Sequence, residues 1–139
     1  DANLAKAMLS IGAVKGFEMG DGFGAAASCG SQNNDAFTVK NGEISKETNH
    51  AGGVLGGISD GSDLVMRVAV KPTASISRTQ STVKRDGTPV DVVIKGRHDP
   101  VIVPRAVVVV EAMAALVIAD ALLLNMGSRV DRIREFYGK

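Results

Sequence analysis

Apolar positions along the chain change their spacing several times, and each change predicts an element. Leu4, Met8 and Ile11 are four and three residues apart, which places them on one face of a helix over residues 3–10. Gly12 ends that helix. Residues 13–19 then predict a strand, with Phe17 and Met19 on one face and Glu18 on the other. Residues 64–70 alternate in the same way, Leu64, Met66, Val68 and Val70 against Val65, Arg67 and Ala69, and Lys71-Pro72 closes the run. A third strand is predicted over residues 90–94, leading to Arg97. Residues 106–124 are apolar nearly all round, so the pattern predicts the longest helix of the chain, covered on more than one side. Its four consecutive valines, Val107 to Val110, are poor helix formers that burial has to override. Asn125 to Gly127 break the chain. Ser128 then caps a short amphipathic helix through Val130, Ile133 and Phe136, with Asp131 at the capping-box position.

The stretches between these elements are long. Residues 20–61 hold 10 of the 16 glycines and few large apolar side chains, and predict functional loops with one short strand at 36–39. Residues 73–89 are polar and predict a second long loop. Strands joined by long loops predict an α+β fold, an antiparallel β-sheet packed on a helical layer. The all-round apolar helix calls for a second layer on its far side, from residues outside this chain or from another subunit. Length supports a single domain or fragment, 1–139.

Charge narrows the partners. Sixteen Lys and Arg nearly balance fifteen Asp and Glu, so a net charge of +1 gives no general nucleic-acid role. The distribution is uneven, however. Residues 17–50 carry five acids and two bases, whereas residues 72–105 carry six bases and three acids, a balance that suits an anionic small ligand. The lone Cys29 excludes an internal disulfide and fits a reducing compartment. The opening Asp-Ala-Asn-Leu has no signal-peptide features, and the missing initiator Met suggests a cut within a longer protein. Glu111 and Asp120 interrupt the apolar helix, and each would cost about 3 kcal/mol in mid-bilayer, so a helix inside a protein is expected rather than a membrane span. Nine residues apart, the two carboxylates lie on opposite faces and are no catalytic pair.

Three motifs carry candidate chemistry. Asn49-His50-Ala51-Gly52-Gly53-Val54-Leu55-Gly56-Gly57-Ile58-Ser59 lets a backbone approach a flat ligand or an anion closely. It is neither a Walker loop nor a Rossmann turn, since no Gly-Lys-Ser/Thr follows and no Gly-x-Gly-x-x-Gly opens a helix. Lys71-Pro72-Thr73-Ala74-Ser75 puts an ammonium and hydroxyls at a strand end, where they can hold a phosphate; a solvated strand end gives the same string. Arg97-His98-Asp99-Pro100 offers a phosphate fork and a proton acceptor beside a fixed turn; a surface Arg-Asp pair is the alternative. His50, His98 and Cys29 match no metal-ligand spacing, and no metal is expected.

Together with residues 4–22 and Pro104-Arg105-Ala106-Val107, these strings resemble chorismate synthase, over about residues 4–124 and in the right order. The resemblance implies the C-terminal part of that enzyme, about half of a β-α-β sandwich in which two antiparallel sheets enclose a helical layer. It implies the anti-1,4 elimination of phosphate from 5-enolpyruvylshikimate 3-phosphate, giving chorismate, with reduced FMN as cofactor. By the same resemblance Lys71 and Ser75 contact the FMN phosphate, and Gly12 and Ala13 offer backbone contacts to the flavin. Gly56 and Gly57 allow its close approach, Arg97 holds the substrate phosphate at the flavin, and Asp99 lies near the flavin N5. Gly12 departs from members that carry Asn there. NADPH, a cytoplasmic location, a homotetramer, and no nucleic-acid or membrane partner are also implied. The family's two catalytic histidines lie upstream of Asp1, so this chain alone is expected to be inactive. A non-catalytic module that binds a phosphorylated ligand, or an oligomerisation module, is the alternative reading.

Overall fold

The computed structural model describes residues 1–138. Helix α1 (Ala2–Leu9) leads through a tight turn into strand β1 (Val14–Met19), which pairs antiparallel with β6 (Met66–Val70). This is the one ladder between strands distant in sequence. Val14 lies opposite Val70 and Met19 opposite Met66, with an irregularity between Val14 and Gly16 that leaves Lys15 as an extra residue. Leu4, Met8 and Val14 are the buried apolar side chains, so the core sits where α1 meets β1. The helical spacing of Leu4 and Met8 turns both toward that strand, as the pattern requires.

The fold class is α+β, but the strands divide into four two-stranded antiparallel ladders. Three are local hairpins: β2 (Phe37–Lys40) with β3 (Glu43–Lys46), β4 (Val54–Leu55) with β5 (Ile58–Ser59), and β7 (Gln80–Val83) with β8 (Pro89–Val92). Their turns explain them. Asn41-Gly42 (φ 56° and 84°) and Gly56-Gly57 (φ 56° and 82°) adopt the paired left-handed conformations that match the twist of the flanking strands. A 3-10 turn, Gly22–Ala27, follows β1. The expected forty-residue loop is therefore mostly short hairpins and turns.

Helix α2 (Val103–Met126) starts three residues earlier than its hydrophobic pattern suggests, because Pro104 fits the first turn, where no N–H is needed. It packs on α1 and runs antiparallel to β6 across an open apolar groove. Val70 and Val103 line one end of that groove, and Leu64 and Ile118 the other. Burial of α2 on several sides was expected, but none of its residues is buried among the described residues. Val108, Leu116, Leu122, Leu123 and Leu124 are more than half exposed, because no second layer covers that flank within residues 1–138. The helix is also long and apolar enough to cross a membrane.

Helix α3 (Val130–Tyr137) begins differently from the expected capping box. Its cap residue is Arg129, and Ser128 instead donates its hydroxyl to the Asn125 carbonyl at 2.7 Å. The end of α2 thus takes the hydroxyl that would have capped α3. Asp131 accepts from Arg129 Nε at 3.0 Å.

Candidate functional site

Beyond Val92 the chain leaves the ladder, so residues 93–102 are irregular and Arg97 lies past the strand end rather than at it. One hydrogen bond ties this segment to residues 71–80 and another closes it on itself. The Ile94 carbonyl accepts from Ser77 Oγ at 3.4 Å and lies 3.0 Å from His98 Nε2. Arg105, in the first turn of α2, reaches back to Asp99 with both guanidinium nitrogens, at 2.8 Å and 3.4 Å. That fork holds the Asp99 carboxylate in one orientation. Arg97 and Lys71 are exposed and have no carboxylate at ion-pair distance among the described residues. Ser75 is half-buried.

Lys71 is fixed from the other side. Its N–H donates to the Ala13 carbonyl at 2.7 Å, one step beyond the Val14–Val70 pair. Ala13 adopts φ 70°, a left-handed conformation that costs an alanine about 1 kcal/mol. Gly12 beside it has nothing within 4 Å of where a Cβ would stand. Gly12, Ala13 and Lys71 thus meet at one end of the β1–β6 ladder. Val70, next to Lys71, and Val103, at the start of α2, line the same open groove, and Asp99 is tied to the first turn of α2 through Arg105.

Gly56 and Gly57 stand elsewhere. They form the turn of the β4–β5 hairpin, and Gly57 lines a hollow with Leu4, Leu64, Ile118 and Leu122. That hollow lies beyond the Met66 end of β6, so the length of the strand, about 15 Å, separates it from Lys71. The other glycine pair makes its close approach to protein. A Cβ on Gly52 would stand 2.5 Å from Gly20 N and 2.8 Å from the Val65 carbonyl.

A polar network missed by sequence reasoning braces this second region. The Asp35 carboxylate accepts from His50 N at 2.7 Å, Ala51 N at 2.9 Å and Thr48 Oγ1 at 2.8 Å. Burial pushes its pKa up, but the Ala51 and His50 N–H donors, the Thr48 hydroxyl and the charge on His50 together take it below the ordinary value. His50 Nδ1 lies 2.7 Å from Asp21 Oδ2, which also accepts from Asn33 Nδ2 at 3.0 Å. Lys46, which is buried, pairs with Asp60, and the hydrogen bond from Lys46 holds the Asp60 carboxyl down at about 2. Asx-type acids followed by glycine-rich turns were visible in the sequence, but their partners lie 13 to 29 residues away without any period to reveal them. Among the described residues no three His, Cys, Asp or Glu side chains are grouped to hold a metal ion.

Comparison with known proteins bears on both regions. The sequence profile of the family described as chorismate synthase matches residues 1–123. The chorismate synthase of Agathobacter rectalis is 67% identical over 139 residues, and that of Lachnospira eligens is 64% identical. Each match takes in all of this chain and 38% of the relative. A solved structure titled "Crystal Structure of Chorismate Synthase" superposes with a TM-score of 0.70 at 36% identity, over 98% of this chain and 35% of that one. The chain spans well under half the length of the relatives it matches, and by profile, sequence and fold alike it belongs to the chorismate synthase family.

Proposed function

We propose that this chain supplies the flavin-phosphate and substrate-phosphate ends of a chorismate synthase active site. The observation that carries the reading is the meeting of Ala13 with Lys71, at the end of the sheet toward which residues 93–105 also run. The reaction is the loss of phosphate from 5-enolpyruvylshikimate 3-phosphate: the C3–O bond breaks, a proton leaves C6, and chorismate and phosphate result. Reduced FMN, when bound, supplies electron density to the substrate as the phosphate departs.

The residues fit that cofactor. Lys71 offers an unpaired ammonium, Ser75 a hydroxyl four residues on, and Gly12 a backbone face with open space where a side chain would be. Arg97, also unpaired, neutralises charge on the leaving phosphate. Asp99, oriented by Arg105, holds or accepts a proton near the flavin. Gly56 and Gly57, at the other end of the ladder, support the flavin through their hairpin backbone if a neighbouring subunit brings the two ends together. The exposed flank of α2 is the face that the rest of the polypeptide covers, and a homotetramer in the cytoplasm with NADPH-linked flavin reduction is the setting. The isolated chain lacks part of the site and is inactive.

Substitutions in the complete polypeptide test the assignment. Arg97→Ala weakens 5-enolpyruvylshikimate 3-phosphate about tenfold or more and FMN little, and Lys71→Ala does the reverse, as the loss of one charge-assisted contact predicts. Equal losses of both ligands in each variant contradict it. Anaerobic assay of residues 1–139 with reduced FMN and substrate tests the inactivity; turnover at the rate of the complete polypeptide overturns it.

A further inference from the structure

Two non-glycine residues among those described have a left-handed backbone, Asn41 and Ala13. Asn41 is explained by its hairpin turn, in which asparagine is the favoured residue. Ala13 is the third residue of the turn that the Val14 N–H closes on the Ile11 carbonyl at 3.2 Å, a place that requires a left-handed backbone and ordinarily takes glycine. It stands between α1 and β1, and its Cβ disfavours the conformation it adopts. What the conformation achieves is visible in the hydrogen bonding. The Ala13 carbonyl accepts the Lys71 N–H, and the next residue, Pro72, has no N–H to donate. Ala13 is therefore the last backbone anchor of β6 before the chain leaves the ladder. On the other strand, the extra residue at Lys15 frees Ala13 from the regular register. Rotating Ala13 into the ordinary region would swing its carbonyl away, and Lys71 would lose its fixed place.

We infer that Ala13 is a positioning residue: its left-handed backbone holds Lys71 at the sheet end, where the ammonium meets the phosphate of the flavin mononucleotide. This rests on the reading of Lys71 given above. Backbone strain kept where a ligand group must be placed is a recurrent arrangement.

The test compares FMN with riboflavin, which has the same ring and no phosphate, by fluorescence titration of the complete polypeptide. Ala13→Val, whose branched side chain resists the left-handed region, weakens FMN about tenfold more than it weakens riboflavin, because any contact of the Ala13 backbone with the ring is lost to both ligands alike. Ala13→Gly, which accepts φ 70° freely, keeps FMN affinity near wild type. In a Lys71→Ala background, Ala13→Val changes FMN and riboflavin alike. If Ala13→Val does not fold, Ala13→Thr, also branched at Cβ, carries the same comparison. Equal weakening of FMN and riboflavin by the Ala13 substitution, or a greater loss for FMN that persists in the Lys71→Ala background, overturns the inference alone. Unchanged FMN affinity in Lys71→Ala itself overturns the phosphate reading, and the inference with it.

Discussion

Residues 20–65 and residues 71–105 are both polar and rich in turns, yet they are held in opposite ways. The first region closes on itself. Asp35 collects three donors, Lys46 pairs with Asp60, Asp21 ties His50 to Asn33, and Gly52 lies against Gly20. The second is held by its edges, through Ala13 to Lys71, Ser77 to Ile94 and Asp99 to Arg105, and it leaves Arg97 and the Lys71 ammonium unpaired. Polar groups that satisfy one another build a scaffold. In the function proposed above, Lys71 and Arg97 take their anions from the ligands.

The sharpest way to break this comparison is to disturb the glycine contacts. Gly52→Ala combines φ 70° with a Cβ inside backbone contact distance, and should destabilise by about 3 kcal/mol or more in denaturant unfolding of the complete polypeptide. Gly56→Ala, with open space at its Cβ, should cost only about 1 kcal/mol, the left-handed backbone alone. Equal costs would show that backbone interlocking at Gly52 is not what closes the region.

Next in size, Asp35→Ala leaves two backbone N–H groups and a hydroxyl without their acceptor. A loss of about 2–3 kcal/mol is expected by the same measurement. A change under about 0.5 kcal/mol would mean that water replaces the carboxylate freely.

Acid should reach the two regions unequally. The folded Asp60 carboxyl titrates near 2, below its ordinary 3.8. A depressed carboxyl contributes stability that is fully present above the ordinary value and is lost as pH falls through the folded one. Asp35, also depressed, adds in the same direction. Hydrogen exchange at residues 35–60 should therefore accelerate as pH falls from about 4 to about 2, after correction for intrinsic rates. Asp60→Asn should flatten that dependence, and an unaltered profile would remove Lys46–Asp60 from the account.

The smallest effect belongs to the second region. Arg105→Ala removes an exposed ion pair, and should change stability by less than about 1 kcal/mol. A larger loss would mean that the Asp99 fork is structural, and would blur the contrast between the regions.

Legibility in the sequence followed the range of the interactions. Helix α1 and strands β1 and β6 follow from periods of 3.6 and 2, because each turns one apolar face to a neighbour, whereas helix α2 follows from the length of its unbroken apolar run. The hairpins were equally local, and Asn41-Gly42 and Gly56-Gly57 are strong turn signals between short runs of Val, Leu and Ile. The sequence pattern shows only one strand of two of these hairpins, at 36–39 and at 90–94, and leaves the third as an open loop, because β4 and β5 are only two residues long and show no alternation. The motif strings located Lys71 and Arg97, but not what surrounds them. Nothing in the residue Ala13 announces a left-handed backbone, since alanine ordinarily avoids it. Nor does the spacing of Asp35 from His50, or of Lys46 from Asp60, follow any period. Those pairings exist only once the hairpins have folded over one another.

The bare flank of α2 has a consequence for biosynthesis. Water meets Val108, Leu116 and three consecutive leucines, Leu122 to Leu124, along a single rod. A polypeptide released in that condition is a substrate for holdases and proteases, and at modest concentration a seed for precipitation. A chain in which this helix stays bare is open to quality control for as long as the face is uncovered.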